Sequence, residues 1–474
     1  MSVGFDRDFI SEIKGKSCSV LGLGVSNLPL VELLLGNASS VTVHDRQDAS
    51  ELGERTTWLK SQGVVFSKSF EEFSGDIIFR SPGIRPDIDG IKKALLRGAR
   101  LSSEMEMFLA HTEANTFGIT GSDGKTTSTT LCGKFLEANE KGRTYVGGNI
   151  GTPLLDKCAE MTDEDNAVLE LSSFQLMRVS RAPMYCAITN LSQNHLNWHI
   201  DMNEYAEAKY NIVGENTKRV VLNADCKYTR DFGEKLLTES DKEVIFFSSS
   251  LSEDEEVKAI TDNGAKLLFV KEGIIRIADG DCERELLDCS DIRLPGKHNI
   301  ENYMTAIGLT YGCVDVSVYS KVAMEFNGVE HRLELVRTID EVDFYNSSID
   351  SSPTRTGAAL SALLGRDIVI ICGGYDKNLD YEPLAKSICE SVRTVVLTGA
   401  SAPKIKAAIL SYGGYSPEVL KIIDSESFED AVALAANEAK KGGCVLLSPA
   451  SASFDRFKNF AQRGEYFKEL VKKL

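Results

Sequence analysis

Short apolar runs that end in glycine or polar turns alternate along this chain with longer stretches whose apolar residues recur at helical spacing. Residues 17–21, 41–44 and 76–79 read as buried strands, and an amphipathic helix fills the space between the first two, running to Leu35. That opening βαβ predicts a Rossmann-like unit. An acidic helix around 104–108 then leads to a second series, with strands at 115–117, 167–171, 186–190, 220–222 and 244–247 and a hairpin over 267–278 that turns at Glu272 and Gly273. Helical periodicity restarts at Asn302 after the turn 294–299. The last third alternates again, with strands at 342–345, 368–372, 395–397, 422–423 and 445–447. Strands separated by helices predict an α/β protein built on parallel sheets.

Composition narrows the setting more than the chemistry. A chain of 474 residues is too long for one core and suggests several domains. The net charge of −17 argues against a general binder of nucleic acid or anionic membrane, so phosphate recognition has to come from local N–H groups and a few Lys or Arg side chains. Eleven cysteines, an odd number without a C-x-x-C pair, read as small buried hydrophobes in a reducing compartment. No apolar run reaches the length of a membrane span, and residues 1–14 lack an apolar leader. The expectation is a cytoplasmic protein, without membrane insertion and monomeric.

The strongest chemical signal is Gly118 to Thr127, a glycine loop between a β-prone run and a helix. Glycines let backbone N–H groups approach phosphate oxygens, Lys125 offers a point charge, and the Thr126 hydroxyl can reach Mg²⁺. The generic spacing G-x-x-x-x-G-K-[S/T] would put a glycine at Ile119, which this loop lacks. Glu170, at the end of another buried strand, is the leading candidate for a metal ligand. His195, His199 and Lys209 follow within fifteen residues and are undiagnostic alone. In the first unit, Gly22-Leu23-Gly24 can cradle a pyrophosphate, but Asn27 stands where an NAD-binding loop wants its third glycine. Asp45 and Arg46 end the second strand, where a side chain meets the sugar or base of a nucleotide.

Taken together, these motifs resemble the Mur ligase family, the ATP-dependent amide ligases of peptidoglycan precursor assembly. The resemblance rests on the loop 118–127, on Gly148-Asn149-Ile150-Gly151, on Glu170 to Leu176, on Asn194-His195-Leu196, on 294–302 with His331-Arg332, and on the run 447–464. It implies three domains, at 1–105 for a UDP-linked substrate, 106–297 for ATP and 298–474 for D-glutamate and ATP. ATP would meet Gly121, Ser122, Asp123, Gly124, Lys125, Thr126, Thr127, Asn299, Asn302 and Arg332. UDP-N-acetylmuramoyl-L-alanine would meet Val25, Ser26, Asn27, Asp45, Arg46, Ser81, Gly83 and Asn149. D-glutamate would meet Thr354, Lys377, Ser453, Phe454 and Phe460. Lys125, Glu170, His195 and Lys209 would carry catalysis, with one Mg²⁺ on Thr126 and Glu170 and a second on His195 and a carbamylated Lys209. The chain departs from the family pattern at Asp123, at Asn194 and through 346–356, where the family's aspartate is either Asp350 or replaced by Ser347. The rival readings are a folylpolyglutamate synthase, a non-catalytic ATP-binding protein and an NAD-dependent dehydrogenase.

Overall fold

A computed structural model describes residues 7–24, 26–47, 54–194, 198–251, 253–294, 296–377 and 379–474. Their strands form three sheets. The first contains β1 (Ser17–Leu21), β2 (Ser40–His44), β3 (Val65–Ser67), β4 (Ile77–Arg80) and β5 (Arg100–Ser102) in the order β3-β2-β1-β4-β5, with every pairing parallel. Parallel neighbours require a crossover, and the helix Asn27–Leu34 supplies the first, burying Leu30, Val31 and Leu34.

The second sheet contains β6 (Asn115–Thr120), β7 (Thr144–Gly148), β8 (Asn166–Glu170), β9 (Tyr185–Ile188), β10 (Arg219–Asn223), β11 (Glu243–Ser248), β12 (Lys266–Lys271), β13 (Ile274–Asp279) and β14 (Cys282–Asp288). Its order is β14-β13-β12-β11-β10-β9-β6-β8-β7, parallel as far as β12, with β13 and β14 added antiparallel as the expected hairpin and its extension. Because β6 lies between β8 and β9, the strand order reverses direction there. The loop leaving β6 therefore opens into the crevice between its neighbours' carboxyl ends, where open α/β sheets bind ligands.

The third sheet contains β15 (Glu334–Ile339), β16 (Val342–Asn346), β17 (Ile368–Cys372), β18 (Thr394–Leu397), β19 (Lys421–Asp424) and β20 (Cys444–Leu447) in the order β15-β16-β20-β17-β18-β19. Only β15 runs antiparallel to its neighbour.

The chain forms two compact units: Met1–Ile292 with Lys297–Met324, and Arg293–Gly296 with Glu325–Leu474. The first and second sheets share a unit, and that unit extends past the boundary expected at 297. The reason is packing: the helix Lys297–Thr310 buries Tyr303, Met304 and Ile307 beside the helix Lys125–Ala138, whose Phe135 meets the rings of Tyr303 and Tyr319. The expected acidic helix exists as Glu104–His111, but it is no solvated connector. Met107 and Phe108 are fully buried, and Glu104 and Glu106 are buried with them. Among the described residues no helix is long and apolar enough to cross a membrane.

Candidate active site

The loop after β6 can only be built from glycine at two points. Gly121 and Gly124 have φ of 144° and 78°, and a Cβ at these positions would lie 1.9 Å from Thr189 Oγ1 and 2.3 Å from Asn302 Oδ1. Ile119 needs no such freedom, because it is a fully buried residue of β6, paired with Glu170 on one side and Ala187 on the other. The apparent departure in spacing is thus a strand residue falling where the generic pattern expects loop. The helix Lys125–Ala138 begins immediately afterwards, and its first N–H groups have no acceptor within the helix, which makes this end an anion site. Lys125 Nζ folds over the loop, donating to the carbonyls of Gly121 (2.8 Å) and Ser122 (2.9 Å). Ser122 Oγ donates to Ser192 O, and the Asp123 N–H donates to Asn190 Oδ1. Asp123 itself is exposed, and Thr127 is half-buried.

Glu170 closes the crevice from the end of β8. Its Oε2 accepts from Thr126 Oγ1 at 2.7 Å and its Oε1 from Asn149 Nδ2 at 2.8 Å, all three at or near the end of a strand or the start of a helix. Asn149, expected with the nucleotide-sugar group, here buttresses Glu170. A buried hydroxyl and carboxylate side by side form a hard-oxygen donor set that fits Mg²⁺. Asn302 also reaches the loop helix, accepting from Ser128 Oγ at 3.3 Å and donating to Asn299 Oδ1 at 3.2 Å.

Lys209 is not a surface lysine. In the helix Met202–Tyr210, residues 205 and 209 fall on one face, and that face packs on the loop. Lys209 is 1% exposed, donates to Thr120 Oγ1 (3.1 Å) and Gly121 O (2.8 Å), and lies 4.8 Å from the Tyr205 ring centre. Burial, reinforced by the charge of Lys125, holds its pKa well below the ordinary lysine value. Tyr205 OH in turn meets Ser122 Oγ at 3.0 Å. His195 lies outside the described residues. His199, which sequence left undistinguished, is buried among Phe174, Trp198 and Tyr205, with Nε2 2.9 Å from Ser173 Oγ and Nδ1 3.3 Å from Glu204 Oε2. Glu204 is clamped by Arg85, which also holds Asp87 and the Trp198 carbonyl. Arg85 and Glu204 carried no sequence signal, since their pairing spans 119 positions.

At the carboxyl edge of the first sheet, the expected substrate residues gather around the loop after β1; Val25 lies outside the described residues. Asn27 is buried and spends its amide on the carbonyls of Gly22 (2.8 Å) and Leu21 (3.4 Å), so it stitches the loop where a dinucleotide fold would use glycine. Asp45 accepts from the N–H groups of Leu23 (2.9 Å) and Gln47 (3.0 Å). Arg46 is exposed over the Phe70 ring, Ser26 and Ser81 are half-buried, and Gly83 is exposed with its carbonyl accepting from Trp198 Nε1. Arg80, unremarked in the sequence, is buried and donates to the carbonyls of Ser81, Pro82, Ile84, Phe174 and Met177, binding this edge to the segment that follows Glu170.

In the second unit, Ser453 is buried, whereas Phe454 and Phe460 are exposed, and Lys377 lies over the Phe454 ring at 5.6 Å. Arg332 is exposed. Thr354 is exposed at the second position of the helix Pro353–Ala362; the buried hydroxyls of its segment belong to Ser347, Ser348 and Thr356. Asp350 is buried with them, accepting from Ser448 Oγ at 2.8 Å, and desolvation raises its pKa. Arg463, which sequence missed, is fully enclosed and donates to Ser348 Oγ and to the carbonyls of Ser348, Ser451 and Ala452.

A phosphate loop at a helix N-terminus, with a hydroxyl–carboxylate pair beside it in a parallel sheet, defines a nucleoside-triphosphate-dependent enzyme of the α/β class. Residues 119–310 match the Mur ligase middle domain, and residues 331–451 match the Mur ligase glutamate ligase domain. The UDP-N-acetylmuramoylalanine–D-glutamate ligases of Ruminiclostridium cellulolyticum and Acetivibrio thermocellus are each 42% identical to this chain, covering 99% and 98% of it and the same shares of their own lengths. The MurF ligase of Thermotoga maritima, solved in complex with ADP, aligns with a TM-score of 0.52 at 16% identity over 99% of this chain and 100% of that one. The chain belongs to the Mur ligase family.

Proposed function

We propose that this protein is an ADP-forming amide ligase that joins D-glutamate to UDP-N-acetylmuramoyl-L-alanine in the cytoplasmic assembly of peptidoglycan precursors. Full-length similarity to relatives of that name supports the substrates. The observation that carries the chemistry is the contact of Thr126 Oγ1 with Glu170 Oε2 at the first turn of the loop helix. A free carboxylate is a poor acyl donor, so the γ-phosphoryl group of ATP passes to the alanyl carboxylate, and the amine of D-glutamate then attacks the acyl phosphate and displaces phosphate. Such transfer depends on positioning and charge neutralisation. Lys125 and the loop N–H groups hold the phosphates and stabilise charge that grows on them. Thr126 and Glu170 would supply oxygen ligands for one Mg²⁺, and His195 through a ring nitrogen with Lys209 through a carbamate oxygen would hold a second; such ions would supply neutralisation of phosphate charge.

Lys209 can serve a cation only after losing its own charge. Burial shifts its pKa downward and so favours the neutral amine, the form that adds CO₂ to give a carbamate and a proton. In the first sheet, Ser26, Asn27, Asp45, Arg46, Ser81 and Gly83 receive the UDP part. In the second unit, Lys377, Ser453, Phe454 and Phe460, together with Thr354, receive D-glutamate, and Arg332 is assigned to ATP. We assign 1–105, 106–297 and 298–474 to these three substrate roles, with the helix Lys297–Thr310, which packs within the first unit, serving ATP through Asn299 and Asn302. We take the working form to be a monomer.

The test is phosphate release from ATP with UDP-N-acetylmuramoyl-L-alanine, compared across D-glutamate, L-glutamate, L-lysine and meso-diaminopimelate. Stimulation by D-glutamate alone is expected. Equal stimulation by another amine, or none by D-glutamate, overturns the proposal.

A further inference from the structure

The substrate proposed above has a fixed chemical order: uridine, pyrophosphate, sugar, then the alanyl carboxylate that reacts. Whatever surface joins the edge assigned to UDP to the reacting centre therefore meets the sugar. In the first unit that joint is a row of rings. Trp198 Nε1 donates to Gly83 O at 3.4 Å. From there ring centres follow one another, 4.7 Å from Trp198 to His199 and 5.2 Å from His199 to Tyr205. The Tyr205 ring centre lies 4.8 Å from Lys209 Nζ, which donates to Gly121 O of the phosphate loop. Phe174 joins the row from the side, its ring centre 4.6 Å from that of Trp198, on the short helix Ser173–Leu176 that follows Glu170 and the cap Ser172.

Two of these rings are closed off. His199 is 2% exposed and Tyr205 1%, which leaves no surface for a ligand, whereas Phe174 and Trp198 are only half-buried. Both are also held in place. Arg85 lies 5.0 Å from the Trp198 ring centre, donates to the Trp198 carbonyl at 2.7 Å and is itself clamped by Glu204, while Arg80 holds the Phe174 carbonyl. Aromatic surface fixed in this way gives up little entropy when a ligand covers it. The sugar segment is uncharged, its lactoyl carboxyl being tied up in the amide to alanine, so an apolar contact suits it where a cation would not. A pyranose also offers a face of C–H groups, which the electron-rich face of an aromatic ring attracts. Resting on the function proposed above, we infer that Trp198, with Phe174 beside it, is the contact surface for the sugar ring of UDP-N-acetylmuramoyl-L-alanine.

The experiment measures Kd by calorimetry for UDP, UDP-N-acetylmuramate and UDP-N-acetylmuramoyl-L-alanine with the wild type, Trp198→Phe and Trp198→Ala, and adds KM and kcat for the last ligand. Trp198→Ala should weaken the two sugar-bearing ligands by the same factor, about three- to tenfold, and leave UDP within about twofold of the wild type. The loss should appear in the KM for the UDP substrate, with kcat and the KM for ATP unchanged, because a contact to the sugar is the same before and during reaction. Trp198→Phe keeps an aromatic face and should recover most of the affinity. A loss shared equally by UDP would make Trp198 a support of the Gly83 edge, and a loss confined to the alanyl ligand would place it at the reacting end. Either result overturns the inference, as does no loss at all or a Phe variant no better than Ala. If Trp198→Ala fails to fold, fluorescence decides. The chain's other tryptophan is Trp58, and with Trp58→Phe in place the Trp198 emission should respond to UDP-N-acetylmuramate and not to UDP; equal responses, or none, overturn the inference. Binding needs no turnover, so this pattern in a protein that ignores D-glutamate would sink the proposed activity alone, whereas D-glutamate-dependent turnover with an unimpaired Trp198→Ala would sink this inference alone.

Discussion

Lys125 and Lys209 sit at one carbonyl, that of Gly121, which accepts from both. Their roles separate on substitution. Lys125→Ala removes a half-buried charge and its two bonds to loop carbonyls, so the fold should survive, with Tm shifted by a few degrees at most, while kcat falls by about 10²–10³, the loss typical of one donor to a developing anion. Phosphate release near the wild-type rate from the folded variant would exclude the loop as the ATP site. Lys209→Arg retains a permanent charge and cannot form the same carbamate, so it should be inactive. Lys209→Ala should be inactive too, but acetate or formate should restore part of its turnover by refilling the anionic position. Full activity of the Arg variant would end the carbamate assignment.

Among the elements, the joint between β6 and its helix tolerates the least change. Gly121→Ala drives a methyl group into Thr189 at a backbone angle that L-residues avoid, and should cost ~3 kcal/mol in urea unfolding. At the other end of the strand, Asp165 immediately precedes β8 and accepts from the backbone of Arg143 and Thr162 and from the Arg143 guanidinium. These bonds hold its pKa below the usual carboxylate range. The stability they contribute is therefore present above about pH 4 and drains away as pH falls toward the native value. Asp165→Asn should cost ~1–3 kcal/mol near neutral pH and should flatten the acid limb of the stability curve. An acid limb identical to the wild type would show that the pair adds nothing. Elements such as these were largely legible in the sequence, because strand runs and glycine loops are local and answer to sterics. Burial of a charge is not local. Nothing in residues 202–210 distinguishes Lys209 from a solvated helical lysine, and Glu104 reads as the start of a solvated helix until the turn Leu155–Glu160 and Arg80 enclose it. The segment around Thr354 was unreadable for a related reason: among so many hydroxyls, only packing tells that Ser347, Ser348 and Thr356 face inward while Thr354 is exposed.

For the whole molecule, the first unit should divide its two ligands cleanly. Substituting Asp45 or Arg46 by Ala should raise the KM for the UDP substrate about tenfold and leave that for ATP unchanged, because uniform binding lost at one site appears in one KM. An equal rise in both would reassign the first sheet. That division has a geometric corollary in Arg80, whose guanidinium grips both the turn after β4 and the carbonyls of Phe174 and Met177. Arg80 thereby ties the edge proposed for the nucleotide to the segment after Glu170, proposed for the reacting end, and would set the distance between the two as a ruler does. A substrate shortened by its sugar could fill either end but not both, so it should occupy the protein without being turned over. Loosening the grip with Arg80→Met should lower kcat more than it weakens retention of UDP, as when a gauge keeps its jaws but loses its zero.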